Sequence, residues 1–252
     1  MRNRLKKRLQ GGELLIGTLV GLGHMDVAEI LSRVGFDWLF LDAEHSPLSF
    51  ETMQQMMQVM STTDCVPLVR PQWNDPVQIK RILDIGAYGV LVPWVNTRGE
   101  AESAVSACKY PPEGIRGFGP RRAARFDPDY FRTANQEILV VVLIETELAL
   151  SNLDEILSVP GVDACFIGPY DLSCNLGFGV PPKWDNPDYL AAIDKVLEIS
   201  RKHEKPAGIY ATLDILEWAI DKGFRFLAVC DADSFLISGA KAALAKARGC
   251  VE

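Results

Sequence analysis

Short apolar, β-branched runs alternate along this chain with longer stretches in which apolar residues recur every three or four positions. That alternation marks parallel βα units, whose strands are covered on both faces and whose helices bury one stripe. The runs predict strands at Leu15–Val20, Asp37–Asp42, Val66–Arg70, Gly89–Pro93, Leu139–Ile144, Asp163–Ile167, Pro206–Tyr210 and Phe226–Cys230. The periodic stretches predict helices at Met25–Val34, Phe50–Met60, Pro76–Ile85, Arg98–Lys109, Ala149–Ser158, Pro187–His203, Leu213–Lys222 and Ser234–Arg248. A further amphipathic helix is expected in Met1–Gln10, where Leu5 and Leu9 stand one turn apart among basic residues. Asn74-Asp75-Pro76 and Asn186-Pro187 read as helix entries, with a capping side chain ahead of proline. Gly35, Gly86, Gly161 and Gly223 stand where helices hand over to strands. Eight strands predict an α/β fold, a single (β/α)8 TIM-type barrel over residues 1–252, with an open doubly wound sheet as the alternative. The glycine-rich Gly17–Gly23 segment has neither dinucleotide-binding spacing nor a Walker lysine, so it is given no phosphate role.

Length and composition agree with that picture. The chain has 252 residues, 48% hydrophobic and 23% charged, an ordinary globular balance. Its net charge of −7 argues against nucleic-acid partners, and an anionic substrate would need a local cation. The six cysteines form no C-x-x-C pair and there are only three histidines, so no Cys/His zinc site is expected and the thiols read as reduced. No apolar run approaches the ~18 residues of a membrane span, and the basic N-terminus lacks a signal-peptide core. The expectation is a cytoplasmic protein without membrane or nucleic-acid partners.

In a parallel barrel, chemistry sits on the loops after the C-terminal strand ends. The polar residues expected there are Asp42, Glu44 and His45, then Arg70, Glu145, Asp171, and Asp231 with Asp233. Glu145 and Asp171 could give two oxygen ligands to a hard cation, Mg²⁺ or Mn²⁺ first, with Co²⁺ or Zn²⁺ as further options. A 2-oxo acid would chelate such a metal, which would stabilise an enolate, and Arg70 would add charge at the same oxygen. His45 suits proton transfer near neutral pH, with Asp42 orienting its ring. Each of these residues alone reads equally well as a helix cap or an ion-pair partner, and for Asp231 and Asp233 capping is the better reading. Their coincidence on one rim favours the functional reading. No predicted strand carries a lysine, which disfavours Schiff-base chemistry, although Lys183 lies in a loop; no G-x-S-x-G occurs either.

The motifs Phe36-Asp37-Trp38-Leu39-Phe40-Leu41-Asp42-Ala43-Glu44-His45, Val69-Arg70, Ile144-Glu145-Thr146 and Phe166-Ile167-Gly168-Pro169-Tyr170-Asp171-Leu172-Ser173 resemble the HpcH/HpaI aldolases, class II pyruvate aldolases. With Asn3-Arg4-Leu5-Lys6, Gly17-Thr18 and Gly161-Val162-Asp163, the resemblance spans nearly the whole chain. It implies metal-dependent cleavage of a 4-hydroxy-2-oxo acid to pyruvate and an aldehyde. Glu145 and Asp171 would hold the metal, Arg70 the pyruvyl oxygen, and His45 with Asp42 would form an acid/base dyad. The amides of Tyr170 and Asp171, beside Gly168, would receive the pyruvate carboxylate. The resemblance further implies a homo-oligomer, a trimer or hexamer in which the last helix is exchanged between neighbours.

The chain departs from that pattern twice. Many relatives carry glutamine where Leu143 stands, two residues before the metal glutamate and on the same strand face, and a small residue where Tyr170 stands. Leu143 would therefore remove a polar contact from the substrate site. The arginine-rich segment Arg116–Arg125 reads either as a clamp for a distal carboxylate on the acceptor or as a solvated or subunit-contact loop. Competing functions on the same barrel are a 2-oxo acid decarboxylase, an acyl-thioester lyase, or a non-catalytic binding or assembly module.

Overall fold

Side chains on a strand face opposite sides in turn, so a closed sheet sorts each strand into an inward and an outward set. The computed structural model describes residues 2–125 and 127–250. Met1 of the expected N-terminal helix, Phe126 of the Arg-rich connection, and the last two residues of the expected domain lie outside them. Eight parallel strands close in sequence order: β1 (Leu15–Val20), β2 (Trp38–Asp42), β3 (Val66–Arg70), β4 (Gly89–Val92), β5 (Leu139–Ile144), β6 (Ala164–Ile167), β7 (Ala207–Ala211) and β8 (Phe226–Asp231). β8 pairs back to β1 and seals the barrel.

The helices among the described residues begin with α1 (Arg4–Gln10), α2 (Met25–Val34), α3 (Phe50–Met60), α4 (Pro76–Asp84), α5 (Arg98–Cys108) and α6 (Tyr130–Glu137). They continue with α7 (Glu147–Ser151), α8 (Leu153–Leu157), α9 (Pro169–Asn175), α10 (Pro187–Lys202), α11 (Leu216–Lys222) and α12 (Ala232–Gly249). Capping follows the sequence signals. The Asp75 carboxylate accepts from the amides of Val77 and Gln78, and Asn186 does the same for α10. At Gly35 and Gly223 the chain turns with positive φ, ending α2 and α11.

The inward set, including Trp38, Phe40, Leu68, Val141, Leu143, Phe166 and Phe226, forms one apolar cluster inside the barrel. The outward set packs under the helices in a second, larger one. Trp38 stacks on Phe226 at 4.2 Å and meets Phe166 edge-on at 6.2 Å. These rings need glycine beside them: a Cβ on Gly17 would come within 2.4 Å of the Trp38 ring, and one on Gly208 within 2.4 Å of Phe166. α1 closes the N-terminal end of the barrel by inserting Leu5 and Leu9 beneath the interior cluster. Lys6 holds it there, 2.9 Å from Asp163.

Several boundaries differ from the sequence expectation for local reasons. β2 and β6 start one residue later than expected, because Asp37 and Asp163 use their carboxylates to accept from Ile16 N and Val140 N on the neighbouring strands. The expected helix Ala149–Ser158 is two short helices joined at Asn152, whose side chain donates to the Asn96 carbonyl. α6 and α9 were not expected. The first has a mostly polar sequence, and the second is a seven-residue helix opening on Pro169.

Candidate active site

The inward alternation of the strands continues past the apolar core to the C-terminal rim and delivers polar side chains there. Positions 38 and 40 lead to Asp42, 66 and 68 to Arg70, and 139, 141 and 143 to Glu145. Asp42, Arg70 and Glu145 are all buried. Arg70 Nε donates to Asp42 Oδ1 at 2.9 Å and lies 3.0 Å from Glu44 Oε2, while its guanidinium rides 5.2 Å over the Phe40 ring. Asp42 also accepts from the amides of Glu44 and His45 and from the Ser46 hydroxyl. Glu145 Oε1 accepts from the Trp94 amide at 2.8 Å.

Asp171 is brought to the same place by α9, whose N-cap Gly168 lies against Glu145. A Cβ at Gly168 would be 3.0 Å from Glu145 Oε2 and 3.7 Å from Asp171 Oδ2. Glycine thus keeps open the space between the two carboxylates. Among the described residues, the amides of Tyr170 and Asp171 donate to no protein acceptor at this helix start.

Three carboxylates, Asp42, Glu44 and Glu145, thereby act on one arginine, and Asp171 acts on Glu44 and Glu145. Burial drives the Glu44 carboxyl up to about 7, with the charges of Asp42 and Asp171 adding to it against Arg70. Burial likewise drives Glu145 up to about 7, helped by Glu44 and Asp171 and opposed by the Trp94 amide. Asp42 goes the other way: burial opposes its ionisation, but the Arg70 hydrogen bond and charge and two backbone amides hold it below its ordinary value. Excess negative charge on hard oxygen donors, around a space that a methyl group would fill, fits a divalent cation. Among the described residues no three His, Cys, Asp or Glu side chains stand ready as a complete ligand set. A cation held by Glu145 and Asp171 would therefore draw its other ligands from water and substrate.

Other expected residues fall differently. His45 reaches the rim, but its Nε2 lies 3.9 Å from Glu44 Oε2, and its ring makes no ion pair with Asp42 among the described residues. Asp42 meets only the His45 backbone amide, because its side chain is committed to Arg70. Leu143 is 1% exposed and packs in the apolar interior beneath Glu145, beside Phe166. Tyr170 stands exposed at the mouth, edge-on to Tyr210 at 6.1 Å. Asp231 caps α12 by accepting from Ser234 N and also takes the Tyr210 hydroxyl, as capping predicts.

The Arg116–Arg125 segment lies at the opposite end of the barrel, so it is no clamp over this chain's own site. Arg116 is buried, stacked 4.5 Å over Tyr110 and 2.7 Å from Asp84. Arg122 donates to the carbonyls of Ile85 and Met57 and borders a cavity of about 1060 Å³ with Pro67 and Tyr88, beside the starts of β3 and β4. Glu44 is the residue to which sequence reading gave no role. Its signal was present in the alternation, since 44 follows 42 by two.

The comparisons with known proteins agree with this geometry. The profile of the HpcH/HpaI aldolase/citrate lyase family matches residues 16–237. A 4-hydroxy-2-oxo-heptane-1,7-dioate aldolase from Salmonella dublin is 41% identical over 251 residues, covering 98% of this chain and 95% of the relative. An HpcH/HpaI aldolase/citrate lyase family protein from Burkholderia cenocepacia J2315 superposes with a TM-score of 0.92 at 31% identity, over 98% of this chain and 99% of the other. The HpcH/HpaI aldolase from Desulfitobacterium hafniense DCB-2 gives a TM-score of 0.88 at 29% identity, over 96% and 95%. Together with a barrel closed in sequence order and a carboxylate cluster at its C-terminal rim, these matches make the chain a carbon–carbon lyase belonging to the HpcH/HpaI aldolase/citrate lyase family.

Proposed function

We propose that the enzyme cleaves a 4-hydroxy-2-oxo acid to pyruvate and an aldehyde with the help of a divalent cation, Mg²⁺ or Mn²⁺, held by Glu145 and Asp171. The observation that carries this reading is the cluster of four carboxylates with a single arginine beside them and open space at Gly168 between Glu145 and Asp171, with Glu44 and Glu145 both raised to about 7. The cation, when bound, would supply the positive charge that polarises the 2-oxo group and so makes the bond between C3 and C4 breakable. The remaining work falls to the chain. Arg70, fixed between Asp42 and Glu44, presents its outer guanidinium nitrogens to the 2-oxo oxygen as charge builds there. The amides of Tyr170 and Asp171 receive the substrate carboxylate at the start of α9.

His45 takes the proton from the 4-hydroxyl as the bond to C3 breaks and returns one to C3 of the pyruvate fragment. Glu44, 3.9 Å from the His45 ring and 3.0 Å from Arg70, is the carboxylate nearest to it and would favour its protonated form. Asp42 acts through Arg70 instead of as the partner in a dyad. The apolar wall ending in Leu143 closes the site from below, so the reacting atoms meet water only from the mouth.

The oligomer is part of the same proposal. α12 leaves Leu236, Ile237 and Leu244 exposed, an apolar stripe that suits packing against another copy of this chain in a trimer or hexamer. The test of activity is pyruvate release from 4-hydroxy-2-oxo acids, followed by coupling to lactate dehydrogenase, with and without a chelator. Loss of turnover on chelation and recovery with Mn²⁺ are expected; full turnover after chelation would refute the role of the cation.

A further inference from the structure

Two tryptophans at the C-terminal rim have rings that the cleavage chemistry leaves unused. Trp94 lies two residues past the end of β4 and is 39% exposed; Trp73 lies three residues past Arg70 and is 53% exposed. Their rings are stacked, with centroids 6.0 Å apart and planes 28° from parallel. Two exposed rings in contact make a contiguous apolar patch, which marks a binding surface more than a single exposed ring does.

Trp94 is also held in an unfavourable backbone conformation. Its φ is +55°, a region that bulky residues rarely enter and that costs energy unless the surroundings fix it. The surroundings do fix it, since the Trp94 amide donates to Glu145 Oε1 and its carbonyl accepts from Asn96 Nδ2 at 3.1 Å. One peptide therefore places a metal-binding candidate and an exposed indole in fixed relation.

The charges of the rim narrow what the indoles can receive. Between each strand end and the following helix there is no lysine or arginine; Lys183 lies farther on, between α9 and α10. Arg98, at the start of α5, is bound to Glu102 and Ser158. The arginine-rich segment is at the far end. No cation on the β3 and β4 loops answers a distal carboxylate, whereas two indole faces answer a flat, neutral group.

We propose that Trp73 and Trp94 form a specificity platform for the acceptor, selecting carbonyl compounds with an aromatic or flat apolar substituent over those ending in a carboxylate. The inference rests on the aldolase reading and adds its substrate class. The Mn²⁺-loaded full-length enzyme is assayed with pyruvate and either benzaldehyde or 4-oxobutanoate, in wild type, Trp73→Ala, Trp73→Phe and Trp94→Asn; asparagine tolerates the positive φ. The wild type should prefer benzaldehyde in kcat/KM. That preference should fall at least about tenfold in Trp73→Ala and Trp94→Asn, a change of roughly 1.4 kcal/mol, and persist in Trp73→Phe. A preference for 4-oxobutanoate in wild type, or a ratio unchanged in both ring-deleting variants, overturns the proposal.

A second measurement needs no turnover: saturation transfer from the protein to benzyl alcohol, which cannot react. A signal present in wild type and Trp73→Phe but lost in Trp73→Ala supports the platform even if no acceptor is converted, in which case the reaction class alone is wrong. No transfer in wild type, as when a second copy covers the rings, overturns it.

Discussion

Glu145 shows how one side chain can serve chemistry at the expense of the fold. Its carboxylate is buried, faces Glu44 and Asp171, and is raised to about 7. Replacing Glu145 with Gln removes that repulsion, so the metal-free variant should melt no lower than wild type, about pH 8. The same change should weaken Mn²⁺ binding by about 100-fold or more in calorimetric titration, with kcat/KM falling in parallel. A lower melting temperature with unchanged Mn²⁺ affinity would reverse both conclusions. The pH dependence has a definite sign. Glu44 and Glu145 titrate higher folded than their ordinary value of 4.5, so their contribution to stability is complete below 4.5 and is lost as pH rises through about 7. A divalent cation replaces the protons these groups otherwise hold, so the rise in Tm on adding Mn²⁺ should be larger at about pH 8 than at about pH 6. An equal rise at both would mean that neither carboxyl takes up a proton in this range.

Among the elements, α1 is the one whose role can be separated from catalysis. Leu9 is fully buried under the interior cluster, at the end opposite the site. Leu9→Ala should cost about 3 kcal/mol in denaturant unfolding while leaving kcat/KM within about twofold. A large kinetic loss at small stability cost would tie the plug to the rim. The strands were the legible elements, because β2, β3 and β5 are apolar runs that stop abruptly at polar borders, Asp42, Arg70 and Glu145. Asp37 and Asp163 sit at such borders, and only the fold reveals that their carboxylates bond the next strand. α6 was hidden because polar Tyr130–Glu137 carries little apolar stripe. At the site, Asp42, Arg70, Glu145 and Asp171 were legible as polar endings of apolar strands or of the turn after one. What the sequence could not supply was who pairs with whom: Arg70 draws in both Asp42 and Glu44, so the His45 ring gets no partner in Asp42, and that pairing depends on a neighbouring strand 28 residues away.

At the scale of the molecule, α12 stands almost wholly free of the barrel, with Leu236, Ile237 and Leu244 each more than half exposed. Leu236→Asp with Leu244→Asp should convert a trimer or hexamer to smaller species in light-scattering chromatography while the barrel keeps its circular dichroism. A monomeric wild type would remove the need for a partner. The alternation that carries apolar residues inward along β5 and then delivers Glu145 has a consequence for how such a barrel can change. Core and chemistry are written in one two-residue frame. A single-residue insertion in β5 would turn Glu145 toward the helix layer and move Leu143 out of the interior in the same step. A two-residue insertion keeps the frame but lifts the carboxylate about 7 Å along the strand, away from Asp171. Side chains on the rim can therefore be exchanged without disturbing the core, while insertions and deletions are tolerated only in the loops between strand and helix.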